Sequence, residues 1–222
     1  MVQTKQKGAI WSWRDPMSAL THMIAFLLVL PAGAALVVQQ AMRGEVVSAL
    51  ACTVFVFSAL LLYGASTFYH MAHGTKEQIA FRRRIDHIMI FLLIAGTYTP
   101  VCLVNLSGFW GTLLLILVWA LALAGLVLKI FWLGAPRLLS TTIYVVMGWL
   151  VLVAAYPLVQ SVPLGGLALL AAGGVMYTLG AVIYATKSKR LSFGAFGFHE
   201  IFHLFVMAGT AFHFLYFFLY LS

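Results

Sequence analysis

Two histidines, His199 and His203, lie four residues apart near the C-terminal end of this 222-residue chain. On a helix this spacing projects both imidazoles from one face, where they can bind a single metal ion. The surrounding residues, 198–221, form an apolar run long enough to cross a membrane. Titratable groups inside such a run are costly and therefore indicate function. The pair predicts a metal site within the membrane, which other helices must complete.

The composition is typical of a membrane protein. The residues are 64% hydrophobic and 8% charged, whereas about 25% of the residues of a soluble domain are charged. The net charge of +8 comes from basic residues between apolar runs, where they orient a membrane protein and meet anionic headgroups. We therefore expect membrane lipids as partners and no nucleic acid. Cys52 and Cys102 form no CxxC motif and are interpreted as buried thiols.

Seven apolar runs follow one another along the chain: 17–38, 46–71, 85–104, 109–130, 138–159, 164–185 and 198–221. Each has about 20 or more residues, enough for a helix to cross the hydrocarbon core, and helices satisfy the backbone in lipid. We predict an all-α membrane protein, a seven-transmembrane helix bundle. Residues 1–16 form an N-terminal segment and 17–222 a single domain. Residues 32–34 resemble a signal-peptide cleavage site, but the first run continues beyond them and is expected to be retained.

Basic residues predict the orientation of the bundle. Twelve of the thirteen Lys and Arg lie on the side of the N-terminus, and only Arg43 lies on the other side. The positive-inside rule then predicts a cytoplasmic N-terminus and a C-terminus outside, in the cell (plasma) membrane. The longest predicted connection is 73–84, between the second and third helices, so we expect no soluble domain.

This topology brings further polar groups to the level of the histidine pair. His70 and Ser66 lie near the cytoplasmic end of the second helix, and Asp86 lies in the first turn of the third. We predict a metal site formed by His70, His199 and His203 near the cytoplasmic face. Three imidazoles with an open fourth position are typical of catalytic Zn²⁺, which lowers the pKa of its water to about 7. Asp86 would hold that water or act as the general base, and Ser66 would be a hydrogen-bond partner or substrate contact.

Alternatives remain for these residues and their neighbours. Each histidine could instead be hydrogen-bonded inside the bundle or reach the interface. His213 lies about 15 Å farther along the helix at 1.5 Å per residue and is expected to be a packed core group, while His22 could approach the site from the cytoplasmic side. Residues 199–203 match the HExxH motif of metalloproteases. Position 209, where metzincins have a third histidine, is Gly, so an intramembrane zinc protease is the less favoured alternative. Glu200 is expected to face the cytoplasmic mouth or a neighbouring helix.

The chain resembles the hemolysin III family of bacterial membrane proteins, which belongs with the progestin and adipoQ receptors, including the adiponectin receptors. The resemblance covers the chain from Asp15 onward and rests on Ser66-Thr67-Phe68-Tyr69-His70, on Asp86-His87 with Ile94-Ala95-Gly96-Thr97-Tyr98-Thr99-Pro100, on Met147-Gly148-Trp149 and on the stretch 199–213. It implies seven helices, a cytoplasmic N-terminus and zinc bound by His70, His199 and His203, with Asp86 at the zinc-bound water and Ser66 beside it.

One part of the family pattern differs. Many members have a Glu-Glu pair before the first helix, where this chain has Arg14-Asp15, so the roles of that pair do not transfer.

The resemblance also implies a class of function. Relatives in the wider superfamily, including alkaline ceramidases, look like zinc-dependent amide hydrolases acting on lipids. We therefore expect a zinc-dependent hydrolase of lipid amide or ester bonds, with a lipid as substrate. The alternatives are a regulator of membrane homeostasis with structural zinc and a pore-forming hemolysin, as the family name suggests. Spans that look permanently inserted argue against the pore. The substrate and the oligomeric state stay open.

Overall fold

Seven helices form the part of the chain that the computed structural model describes, residues 12–221. Residues 1–11 of the expected N-terminal segment lie outside this part. The helices are α1 Pro16–Met42, α2 Val46–Met71, α3 Lys76–Asn105, α4 Phe109–Phe131, α5 Arg137–Ser161, α6 Leu164–Thr186 and α7 Phe198–Tyr220, and each is long and apolar enough to cross a membrane. The predicted all-α, seven-helix architecture is confirmed. Which end of the bundle faces the cytoplasm remains a prediction.

Helix α3 begins nine residues before the predicted apolar run. Thr75 is its N-cap: the Thr75 hydroxyl accepts a hydrogen bond from the Gln78 N–H, and the Gln78 side chain accepts one from the Thr75 N–H. This capping box starts a helix in a charged stretch that lies outside the apolar run. The predicted long connection 73–84 is therefore wrong, and Asp86 lies not in the first turn but about 15 Å along the helix at 1.5 Å per residue.

Two helices depart from regular α geometry inside their spans. The α-helical part of α3 ends at Pro100 and continues as a π-helical turn, Val101–Asn105, since proline has no N–H to donate. Helix α5 is broken by a 3₁₀ segment, Leu150–Ala154. At this break the Tyr98 hydroxyl donates to the Gly148 carbonyl at 2.8 Å and accepts from the Val151 N–H at 2.9 Å. The tyrosine thus satisfies backbone groups that lipid cannot.

The helices pack in a ring around a central cavity. Neighbours along the ring are α1, α2, α3, α5, α6 and α7, with α7 packing back on α1 and α4 packing outside α3. Gly166, Gly173 and Gly180 of α6 lie against α7, where a Cβ would meet Tyr216, His213 and Phe205 respectively. Large apolar side chains such as Leu28, Ile116 and Phe131 remain exposed on the outer surface, as expected for a lipid-facing belt.

Candidate metal centre and adjoining cavity

The segment before α1 is tied to the end of α2. The Arg14 and Asp15 N–H groups donate to the carbonyls of Met71 and His70, and the Arg14 guanidinium lies over the Tyr69 ring at 4.3 Å from its centroid. This path places the Asp15 carboxylate 3.1 Å from Nδ1 of His70. Hydrogen bonds from His70 and Arg14 lower the pKa of Asp15 to about 2, although partial burial opposes the shift. The carboxylate is therefore charged at neutral pH.

The structure brings the three predicted histidines together. His70 comes from the last turn of α2, and His199 and His203 come from the first two turns of α7. One ring nitrogen from each lies within 4.8 Å of the others, and His70 and His203 are buried. Nε2 of His70 is 3.1 Å from Nε2 of His199. The i, i+4 spacing on α7 and the adjacency of the helix ends account for this cluster.

The outer nitrogens of two of these rings are held by acceptors. Nδ1 of His70 faces the Asp15 carboxylate. Nδ1 of His203 lies 3.2 Å from the Ser18 carbonyl and 3.0 Å from the hydroxyl of Thr21, which itself donates to Ser18. Because a carboxylate and a carbonyl only accept, Nδ1 carries the proton in both neutral rings. Each Nε2 then carries the lone pair with which a neutral imidazole binds a metal.

These donors fit a zinc ion. Zinc takes imidazole nitrogens at about 2.0–2.1 Å in tetrahedral geometry, so two ligands lie about 3.3 Å apart, close to the 3.1 Å between Nε2 of His70 and Nε2 of His199. Three protein ligands would leave a fourth position for water or substrate. The Asp15–His70 contact matches the carboxylate–histidine pairs that fix the ring orientation of metal ligands.

His22 of α1 is a fourth imidazole at this centre. Its ring stacks on that of His203, with centroids 3.6 Å apart and planes at 11°, and contacts Tyr63 edge-on at 5.1 Å. His22 is buried, and neither ring nitrogen has a hydrogen-bond partner among the residues described. It fixes one face of the His203 ring.

A cavity of about 590 Å³ adjoins the histidines. Ser66, Asp86, His199 and His203 all line it, so the predicted catalytic residues share one space with two of the predicted ligands. The Ser66 hydroxyl lies beside the buried Asp86 carboxyl, although the two form no hydrogen bond of ordinary geometry. Residues from all seven helices contribute to the lining, most of which is apolar.

Glu200 and His213 lie apart from the centre. Glu200 accepts a hydrogen bond from the Gly197 N–H at 2.9 Å and another from the Ser18 hydroxyl, so it caps α7 and joins it to α1. It is absent from the cavity lining, unlike the general base of an HExxH protease. His213 contacts the Gly209 carbonyl through Nδ1 at 2.8 Å and stacks near Tyr177.

Sequence reasoning missed the contributions of Asp15, Ser18 and Thr21 and ranked His22 low. Ser18 and His22 lie four residues apart, as do His199 and His203. This i, i+4 pair near the start of the first span was the available signal. No comparable pattern marks Asp15, whose place depends on the path of the chain outside the span.

Sequence comparisons with known proteins identify relatives of this chain. The sequence profile described as "Haemolysin-III related" matches residues 11–214. The chain is 40% identical over 194 residues to "Hemolysin-3" of Bacillus cereus, covering 87% of this chain and 85% of that protein. It is 42% identical over 195 residues to "Hemolysin-3 homolog" of Bacillus subtilis (strain 168), covering 87% and 88%. No solved structure matches the chain significantly.

Proposed function

Because the chain belongs to the haemolysin III family, we propose that it is a membrane protein that binds zinc through His70, His199 and His203 and hydrolyses an amide or ester bond of a lipid. The observation that carries this proposal is the cluster of three imidazoles beside a cavity containing a buried carboxyl. We place the site near the cytoplasmic face of the plasma membrane, on the side that carries most of the basic residues.

Each side chain has a role that its contacts support. A bound zinc ion would polarise a carbonyl and lower the pKa of a coordinated water to about 7. Asp86, buried in the cavity lining, takes the proton of the water that adds to the substrate carbonyl, and passes it to the nitrogen or oxygen of the leaving group as the C–N or C–O bond breaks. Ser66 donates a hydrogen bond to the carbonyl of the substrate. Asp15 and the Ser18–Thr21 pair keep the Nε2 atoms of His70 and His203 directed inward.

Metal analysis and lipid turnover together test the proposal. Protein purified in detergent is expected to contain one zinc per chain, and a His70→Ala/His203→Ala double variant is expected to lose it. Asp86→Asn is expected to retain zinc and lose turnover, measured by mass spectrometry of products from a lipid mixture. Wild-type protein without stoichiometric zinc, or full turnover by the Asp86 variant, would contradict a zinc hydrolase.

Structural zinc in a regulatory protein is the second candidate. The supporting observation is that the ligands join α2 to α7 while their outer nitrogens bond α1 and the segment before it, so a metal would lock these elements together. If zinc is structural, its removal lowers the thermal unfolding midpoint, and Asp86→Asn changes neither the stability nor the biological effect of the protein. A pore, the third candidate, predicts conductance in planar bilayers that persists without the three histidines.

A further inference from the structure

A buried lysine lies in the cavity lining without a carboxylate partner. Lys129, near the end of α4, is 1% exposed, and its ammonium donates to the Ser140 hydroxyl at 2.6 Å. No ion pair in residues 12–221 includes it. An isolated buried charge is strongly unfavourable unless an opposite charge accompanies it or the group gives up its proton, so an anion beside Lys129 would stabilise its charged form.

Three other cationic residues line the same cavity. Arg83 of α3, Arg137 of α5 and Lys187 at the end of α6 line it together with Lys129. Arg137 is held in place by the Tyr184 carbonyl and lies over the Tyr184 ring at 4.5 Å. Against these four cations, Asp86 is the one carboxylate in the lining formed by the described residues.

A neutral donor set completes this cationic site, which we define as Arg83, Lys129, Arg137 and Lys187. His87 lies among the first three of these charges, and its Nδ1 is buried without a hydrogen-bond partner. The Ser140 hydroxyl, which accepts from Lys129 and keeps its own proton to donate, also reaches the lining, whereas the Thr141 and Tyr144 hydroxyls there already donate to backbone carbonyls. Convergent ammonium, guanidinium and hydroxyl donors are the groups that bind phosphate or carboxylate.

The rest of the cavity is mainly apolar. From the cationic site it continues between α3, α5 and α6, where it is lined by Leu93, Ile94, Val101, Leu158, Leu167 and Leu170. A volume of about 590 Å³ lies in the range of small-molecule sites, about 300–1,000 Å³. One charged end and one long apolar part fit a molecule with an anionic group and a hydrocarbon chain.

We propose that the cationic site binds the anionic group, a phosphate or a carboxylate, of a single-chain amphiphile whose chain occupies the apolar part of the cavity. In identifying this amphiphile with the substrate, the inference rests on the proposed hydrolase function. The anion stabilises the otherwise unpaired charge of Lys129, and Arg83 and Arg137 orient it. The protein then selects anionic rather than neutral lipids as substrates.

Binding of dodecyl phosphate to the full chain in a neutral maltoside detergent tests this site. The titration is done calorimetrically with EDTA present, so that zinc cannot hold the phosphate. Wild-type protein is expected to bind dodecyl phosphate at least tenfold more tightly than dodecanol or inorganic phosphate. Lys129→Met and Arg83→Gln should each weaken binding at least tenfold. Lys189→Met, which removes an exposed lysine of the α6–α7 connection outside the lining, should bind as wild type does.

Three outcomes would overturn the inference. Equal binding by Lys129→Met and wild type places the anion elsewhere, and equal affinity for dodecanol removes the need for an anionic group. Equal affinity for inorganic phosphate indicates a free anion rather than an amphiphile. Thermal unfolding serves as a control for folding: Lys129→Met without ligand should unfold at the same temperature as wild type or higher, because it removes an unpaired buried charge. Binding of dodecyl phosphate by protein that contains no zinc as purified, before EDTA is added, would contradict the hydrolase while leaving this site intact.

Discussion

At the scale of single residues, the Asp15 carboxylate, which precedes α1, orients the His70 imidazole of α2. Asp15→Ala removes the acceptor on Nδ1 of His70, and loss of such a partner lowers metal affinity by about 10–100-fold. Competition with a chelator of known affinity measures this change. Glu45→Gln, which alters a carboxyl at the opposite end of the bundle, is the matched control. Unchanged zinc affinity in the Asp15 variant would show that the contact has no effect on the metal.

Glu200 and Asp86 are both carboxyls near the histidines, but their contacts predict different roles. Glu200→Gln keeps one oxygen to accept from the Gly197 N–H, and its NH2 group can donate to the Ser18 hydroxyl oxygen. We therefore expect wild-type zinc content and turnover within about threefold, a difference of less than about 1 kcal/mol. Asp86→Asn is expected to lose turnover. A zinc-loaded but inactive Glu200→Gln enzyme would instead indicate the protease-like role of an HExxH glutamate.

The sequence predicted the histidines because their spacing is local and their depth follows from counting spans. Placing His199 and His203 on one face requires only that their segment is helical. Bringing His70 to the same depth requires only that its helix runs antiparallel to theirs. Asp15 could not be found this way, since its contact with His70 depends on backbone hydrogen bonds made by the segment outside the spans. The stacking of His22 on His203 depends on how α1 rotates against α7, which hydropathy does not determine.

At the scale of helices, the glycine repeat of α6 sets its distance from α7. Gly173→Ala places a methyl group into the His213 ring, and such overpacking costs about 1–3 kcal/mol. At Gly174 a Cβ lies 3.7 Å from the Trp149 ring, so Gly174→Ala is the matched control and should be neutral or slightly stabilising. Thermal unfolding in detergent measures both. Equal midpoints for the two variants would contradict close packing at Gly173.

The break in α5 depends on one hydroxyl. Tyr98→Phe leaves the Gly148 carbonyl and the Val151 N–H without the partner they share, and an unsatisfied buried group costs about 1–3 kcal/mol. Tyr156→Phe changes an exposed tyrosine of the same helix and should leave the unfolding midpoint unchanged. If Tyr98→Phe unfolds at the wild-type temperature, other groups satisfy the break.

Hydropathy located all seven helices but not the start of α3. The apolar run marks only the part of a helix that lies in hydrocarbon, and five of the nine residues 76–84 are charged. The signal that was overlooked is local: Thr75 followed three residues later by Gln78 is a capping-box pattern. The breaks in α3 and α5 follow from Pro100 and from the Tyr98 contact, and the second of these requires the tertiary structure.

At the scale of the whole molecule, orientation decides which leaflet gives access to the histidines. Twelve basic residues on one side predict a cytoplasmic N-terminus. Alkaline phosphatase fused after Ser222 is expected to be active in a bacterial host, because it folds only outside the cytoplasm, and green fluorescent protein at the same position is expected to be dark. The opposite result would place the C-terminus and the predicted outer loops in the cytoplasm.

Because Asp15 precedes the first span but contacts the end of α2, insertion of the helices into the membrane and completion of the histidine cluster depend on different parts of the chain. All three imidazoles belong to spans, but the carboxylate that directs one of them precedes the first span. A chain trimmed at residue 15 therefore keeps every segment that the translocation machinery must recognise and loses the anchor of His70. Such a chain is expected to reach the bilayer in normal amounts and to load metal poorly, so a short stretch that precedes the spans would control metal binding at a site embedded in lipid.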